Sequence, residues 1–446
     1  MKAGAVARPA PRGRAANVRV DGDHVAVHLP AVNARRSRFT SVLAVLGIAL
    51  ALVLSLKQGL RERVGHDFHV FWQAGYNFAT GHPLYHDYLP GARQFKYPPF
   101  AAFVFQPLAA LPLQLAGALF SLLNLGLWVV AIYLTREIVA RTLPDRSSTW
   151  VPVAIAGVLS AQFFLDNFRH VQVNGLILVL VLLGIRAYLN ARDLPAAAYL
   201  VTATAIKVSP VFFVAWLVIR GRRRAALAVP PLAAACVLVP LLVRGPASGL
   251  AELREYYDSF LSGHQHAEVS SYTRGHNIAS FVNRMTLLVQ RSGRDMDSSH
   301  RTAGIVHRAG WMAVALIFIG RLLHLRLRRV PISPHEMSTT FLVTLMLSPI
   351  TFTANLVSLL FVFCALLSVR KDAIPPWGWP LAGVLLVAMA MTGLSGKELA
   401  GRAANQFVRE HGIFVLTMLL SFAASVALAG RKPTPVAYFR ARSGWE

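Results

Sequence analysis

Blocks of apolar residues long enough to cross a hydrocarbon core recur along this chain, at about 39–57, 113–135, 150–166, 173–189, 225–243, 304–323, 377–394 and 411–430. A bilayer core about 30 Å thick takes roughly twenty helical residues, and it offers the backbone no partner but itself. The blocks therefore read as transmembrane helices. The fold class that follows is all-α, a polytopic integral membrane protein with about twelve transmembrane helices packed into one bundle. Composition agrees: 55% of the 446 residues are hydrophobic and 15% charged, where a soluble domain carries about a quarter charged. Mean hydropathy is +0.50.

Charge sets the orientation. Lys and Arg total 45 against 20 Asp and Glu, a net charge of +25. The basic residues stand in short clusters between apolar blocks, which is the positive-inside pattern with contact to anionic headgroups, and not a nucleic-acid surface. Residues 1–38 are rich in Arg, Pro and Ala and read as a disordered basic cytoplasmic tail, 39–430 as the membrane domain, and 431–446 as a second cytoplasmic tail. Outer loops are expected at 58–97 and 244–303. Both termini lie inside in this map, in a multi-pass protein of the plasma (inner) membrane. The run from Tyr97-Pro98-Pro99 to Leu111 is short for a span and fits a re-entrant or interfacial piece. Taken as one span, 195–219 would send Arg220, Arg222, Arg223 and Arg224 outside. Two short helices meeting at Lys207–Pro210 keep that cluster inside and leave Lys207 at the outer end. Cys236 and Cys364 each lie in an apolar block and read as small buried hydrophobes, not as a disulfide or metal site.

With this map the chemically useful residues gather on the outer side. Ionisable groups at membrane depth are costly, so each is a candidate for function. Asp67, just past the first span and among aromatics, can take a proton from a substrate hydroxyl, or it can cap the helix that follows. Tyr97 and its two prolines fix an extended start to a helix. Gln172 and Asn174 alternate across a turn, where they can bond a sugar or phosphate or satisfy buried backbone groups. Lys207 suits a phosphate, or an ion pair with Asp166 or a loop Glu. His264 and His266 form a weak metal pattern with no third ligand nearby, and no metal site is expected.

The ordered series resembles glycosyltransferase family 87, a branch of the GT-C superfamily of polyprenyl-phosphate-sugar-dependent enzymes. The series is Asp67 with Trp72-Gln73-Ala74-Gly75, then Gly81-His82-Pro83-Leu84-Tyr85, then Tyr97-Pro98-Pro99. It continues through Gln172-Val173-Asn174, Lys207 with Pro210, Asn277-Ile278-Ala279-Ser280 and Ser348-Pro349-Ile350-Thr351. The resemblance implies a GT-C type helical bundle and an inverting transfer of a hexose, mannose being the expected sugar. The sugar leaves a polyprenyl phosphate for a lipid or glycan acceptor at the periplasmic or exterior face. Asp67 is then the general base. Lys207 and Arg169 are candidates for the donor phosphate, and Gln172 and Asn174 for the sugar or the cavity lining. The candidate binding set is completed by Tyr97, His170, His276 and Asn277. No cofactor is expected, because the lipid-linked sugar phosphate is a co-substrate with its own leaving group. One departure stands out: where many family members carry a Trp and His pair after the Ser-Pro element, this chain has Phe352-Thr353-Ala354-Asn355. His276 or His170 would then have to replace that histidine.

Two other function classes fit a polytopic chain. A transporter or flippase of a lipid-linked sugar calls for broken helices at the midplane and internal symmetry, and no repeat is visible. A membrane scaffold has no use for an Asp, a Lys and two amide-bearing turns on one side.

Overall fold

The computed structural model describes residues 52–63, 66–86, 93–143, 149–262, 275–290, 296–349 and 351–430. The tails 1–38 and 431–446, most of the first span, and His264 and His266 lie outside the described residues. The architecture is all-helical, with no strand among the described residues. Residues 52–59 end the first helix, α1. There follow α2 (Asp67–Thr80), α3 (Pro99–Ala109), α4 (Leu113–Thr142), α5 (Trp150–Arg169) and α6 (Asn174–Leu189). Then come α7 (Asp193–Ile206), α8 (Val211–Arg220), α9 (Arg223–Arg244), α10 (Pro246–Tyr256) and α11 (Ile278–Gln290). The chain continues with α12 (Met296–Leu327), α13 (Pro334–Leu347), α14 (Leu359–Leu367), α15 (Trp379–Leu394), α16 (Gly401–Glu410) and α17 (Ile413–Leu428).

Among the described residues, five helices are long and apolar enough to cross a membrane, or six if α16 and α17, bent by 58°, count as one span. α6, α7, α8 and the segment 353–367 are apolar but shorter, and α7 rises only roughly 21 Å. The break expected at Lys207–Pro210 is present, because Pro210 supplies no amide to continue α7. The piece expected to be re-entrant or interfacial forms α3, eleven residues long.

Burial sorts the helices by neighbour. In α13, thirteen side chains from Pro334 to Leu347 are buried, and α13 packs against α12, α14 and α17 at the centre. The apolar window of α9, by contrast, is only 6% buried. Leu227, Val237, Leu238, Leu242 and Val243 project outward, an apolar face that lipid can cover and water cannot. A second, aromatic core holds α2 against α3 and α4. Phe68 stacks on Phe120 at 5.3 Å, and Phe71 lies 4.9 Å from Phe105. The close α2–α3 approach needs Gly75, where a Cβ would come within 2.7 Å of the Phe105 carbonyl oxygen.

The two ends of the bundle differ in chemistry. At one end Arg186 and Arg141 pair with Glu137, Arg222 pairs with Asp193, and Arg326 reaches the Ile219 carbonyl. There Arg220, 6% exposed, grips Glu336, 1% exposed, through two bonds of 2.8 and 3.0 Å. Trp216 Nε1 donates to the same carboxylate at 2.8 Å, and Arg220 also reaches the Val330 carbonyl. Glu336 stands three residues after Ser333, whose hydroxyl caps α13, so one short motif starts the central helix and supplies its buried anion. Asp67, the Lys207 turn and Thr351 lie at the opposite end.

Removing the carboxylate strands a buried guanidinium, so Glu336→Ala should cost about 3–5 kcal/mol. A thermal melt in detergent reads it as a lower midpoint and reduced folded yield, with Glu336→Gln losing less. The sidedness has its own check. In a cysteine-free background, His170→Cys should react with an impermeant thiol reagent on intact cells and Arg223→Cys should not. Labelling at 223 would invert the orientation.

Candidate active site

Asp67 opens α2, but it does not cap it. His66 is the N-cap, and no side chain caps the helix. The Asp67 carboxylate points instead to other parts of the chain. Oδ2 accepts from Gln172 Nε2 at 2.7 Å, and Oδ1 pairs with Arg93. The helix-cap reading is thereby set aside. Arg93 is a partner that the sequence did not single out, since nothing in the loop around it marks it. Tyr97 lies close by, its ring 4.6 Å from Phe71, and burial and the Asp67 charge push its phenol up, so it stays a neutral hydroxyl.

Gln172 belongs to the turn between α5 and α6. The amide of Gln172 bonds the Asn167 carbonyl at 2.9 Å, and that of Val171 bonds Phe168 at 3.1 Å. This pair of bonds closes a left-handed helix C-cap, where glycine is usual. Here the left-handed residue is Val171, with φ of 45° and no exposed surface. A β-branched residue in that conformation costs of order 1–3 kcal/mol and persists only where its surroundings fix it. The fixing groups are the buried apolar side chains packed with α2 and α3. As a result, Gln172 faces Asp67 while Asn174, two residues on, faces the other way.

Asn174 Oδ1 accepts from Lys207 Nζ at 2.6 Å, and Asn355 Oδ1 lies 3.5 Å from the same nitrogen. Among the described residues, Lys207 pairs with neither Asp166 nor a loop Glu. It lines a cavity of about 50 Å³ with Asn174, Ser209, Thr344, Ser348 and Asn355. Burial without a carboxylate partner pulls its ammonium down to about 8, so it remains mostly charged at pH 7 and is held only by neutral amides. Asn355 comes from the segment after the Ser-Pro turn, and was not among the expected site residues.

Four expected site residues go elsewhere. Arg169 pairs with Glu398 at 2.5 Å. His170, half exposed, bonds back to its own helix at Asp166. Asn277 accepts from the Ser280 amide and donates to the Ser348 and Pro349 carbonyls, so it caps α11 and ties down the Ser-Pro turn. His276 is buried, bonded through its amide to Thr351 O and through Nε2 to Thr353 Oγ1 at 3.2 Å. Burial, with Arg409 and Arg284 nearby, pulls its imidazole down to about 3, so it carries no charge for an anion. None of these four lines the Lys207 cavity. The remaining motifs also serve the scaffold. In the Gly81–Tyr85 turn, the Pro83 carbonyl accepts from Asn77, and that of His82 from Arg244, itself buried against Glu252.

Among solved structures, the chain is similar to ArnT from Cupriavidus metallidurans in the apo state, at 15% identity over 88% of this chain and 77% of that one, with a TM-score of 0.37. No curated protein matches it. A family model, Glycosyltransferase family 87, matches residues 95–349, which include Tyr97, Gln172, Asn174, Lys207 and the Ser-Pro turn. That match covers more than half of the sequence, and the chain belongs to glycosyltransferase family 87.

Proposed function

We propose that this membrane glycosyltransferase moves a hexose, mannose, from a polyprenyl-phosphate sugar to a hydroxyl of a lipid or glycan acceptor, at the outer face of the plasma membrane. The observation that carries the reading is the three-residue element Gln172-Val173-Asn174. Its first side chain holds Asp67, and its third holds Lys207. A carboxylate and a cation are thus fixed on opposite sides of one strained turn, at one end of the bundle. Inverting transfer needs that pair: a base on the acceptor and a positive charge on the leaving phosphate.

In the proposed step, the acceptor hydroxyl gives its proton to Asp67 as its oxygen bonds the sugar's anomeric carbon. The bond from that carbon to the phosphate oxygen breaks, and its electron pair stays on the phosphate. Lys207 offsets the added negative charge. Each carboxylate oxygen has two acceptor positions, so Gln172 and Arg93 hold Asp67 and still leave room for the acceptor. Tyr97 and Asn174 border the sugar in this reading. Asn355 is the nearest group to Lys207 from the segment that departs from the family pattern. The donor's phosphate is its own leaving group, so no cofactor enters the proposal. A flippase would need functional polar groups at both ends of the path, and no observation favours it.

The central test is Asp67→Asn in purified protein, supplied with labelled polyprenyl-phosphate mannose and a panel of lipid acceptors. Asn keeps the size but cannot take the proton, so donor binding should persist while turnover falls by about a hundredfold or more. Near-wild-type turnover would end the role of Asp67. For Lys207 the expected signature lies in binding. Lys207→Met should raise donor KM roughly tenfold or more, with a smaller change in kcat. The free ammonium loses its proton as pH rises through about 8. Wild-type kcat/KM for the donor should therefore fall above that pH, and the fall should vanish in Lys207→Met.

A further inference from the structure

Glu62 is the buried acid that the site as described does not use. It follows α1 and stands five residues before Asp67. It is 2% exposed, and neither carboxyl oxygen accepts a hydrogen bond among the described residues. Across from it is α4, so close that a Cβ on Gly117 would come within 2.7 Å of Glu62 Cγ. The facing stretch of α4, residues 113–120, has no titratable side chain. His66 Nδ1 stands 3.5 Å from Oε1, which is long for a hydrogen bond. His66 Nε2 accepts from Arg63 Nε at 3.1 Å, which puts the ring proton on Nδ1. Burial and the positive charges of Arg63, Arg93 and His170 outweigh Asp67 and lower the affinity of that ring for a second proton, so His66 is no counter-cation. Arg93, the nearby guanidinium, is engaged by Asp67. An ionised Glu62 would therefore be a buried anion with no cation on it among the described residues and a like charge beside it, the costliest setting for a carboxylate.

We propose that Glu62 is the second carboxyl of the site, a neutral acid at rest whose ionisation is coupled to the charge on Asp67. The two acids stand in different environments: Asp67 has a guanidinium and an amide, while Glu62 has apolar helix and a neutral ring. Such a division assigns one as proton acceptor and the other as proton holder. Burial first, and the Asp67 charge second, push Glu62 up to about 8. Glu62 is a positioning residue here, acting through Asp67 and not on substrate. While it is neutral, Asp67 bears the negative charge of the pair. When it ionises, the added repulsion strengthens Asp67 as a proton acceptor. The part played in turnover rests on Asp67 being the base. The protonation of Glu62 does not.

Infrared difference spectra of the purified protein test the protonation directly. The carbonyl stretch of a protonated carboxylic acid should be present at pH 7, titrate away near pH 8, and be missing in Glu62→Gln. In Asp67→Asn, which needs no change at Glu62, the same band should titrate at lower pH, because the like charge is gone. At saturating substrates, wild-type kcat should rise several-fold across pH 8, and Glu62→Gln should show no step. Saturation separates this effect from that of Lys207, which acts on donor binding. No such band at pH 7, or a midpoint unmoved in Asp67→Asn, overturns the proposal, as does an identical kcat step in Glu62→Gln. Wild-type turnover in Asp67→Asn would instead remove the base reading, with the infrared result for Glu62 still standing.

Discussion

The turn from His170 to Val173 carries both halves of the site, and its geometry depends on one residue in an unfavourable conformation. Val171 adopts a positive φ that glycine takes freely. Glycine there would leave the turn able to relax in several directions. Valine, buried in the aromatic core, allows one. Gln172 and Asn174 are consequently aimed apart by the backbone, and each meets a charged partner at hydrogen-bond distance. Strain of order 1–3 kcal/mol is small against the apolar packing that enforces it. A site built this way keeps its spacing through backbone strain and apolar packing.

That enforcement comes from the shape of the bundle. α2 and α3 are not spans. They form a lid of aromatic side chains over α4 and α6, which seats Asp67 at the border between loop and apolar interior. The long helices α9, α12 and α15 face outward and meet lipid. The short ones, α7 and α8, stop at Lys207 and leave it beside a cavity. Broken helices are tolerated at membrane depth only where the freed backbone lines a cavity or packs in protein. Here the break serves both conditions, because Lys207 lines the cavity while Phe213 and Trp216 of α8 pack into the central core.

The sequence made the all-helical membrane class and the split at Lys207–Pro210 legible, because each rests on a strong local signal: apolar length and a proline. The helices between the apolar blocks were less so: α10, within the expected loop 244–303, and α16 carry too few apolar residues to stand out. At the site, Asp67, Gln172, Asn174 and Lys207 could be singled out because charges and amides are rare next to spans. Their pairing could not, since contacts between residues 67 and 172, or 207 and 355, have no trace in local pattern. Arg93, Asn355 and Glu62 escaped for the same reason. Arg169 and His170 were drawn in by position alone. The tie from Arg169 to Glu398 shows how a charge beside a site can serve the scaffold instead.

The segment Phe352–Asn355 brings Asn355 to the cavity, where its oxygen accepts from Lys207. A histidine near a phosphate can add a positive charge, but His276 offers none at neutral pH and is committed to the Thr351–Thr353 backbone and hydroxyl. Neutral donors hold a phosphate less strongly than a cation does. Under the proposed donor reading, phosphate affinity at this cavity would be concentrated on Lys207, whose own charge is weakened by burial, and an arriving phosphate would restore that charge by pairing with it. Lys207 is thus poised to bind an anion and, while the cavity is empty, is spared the full cost of an isolated buried cation.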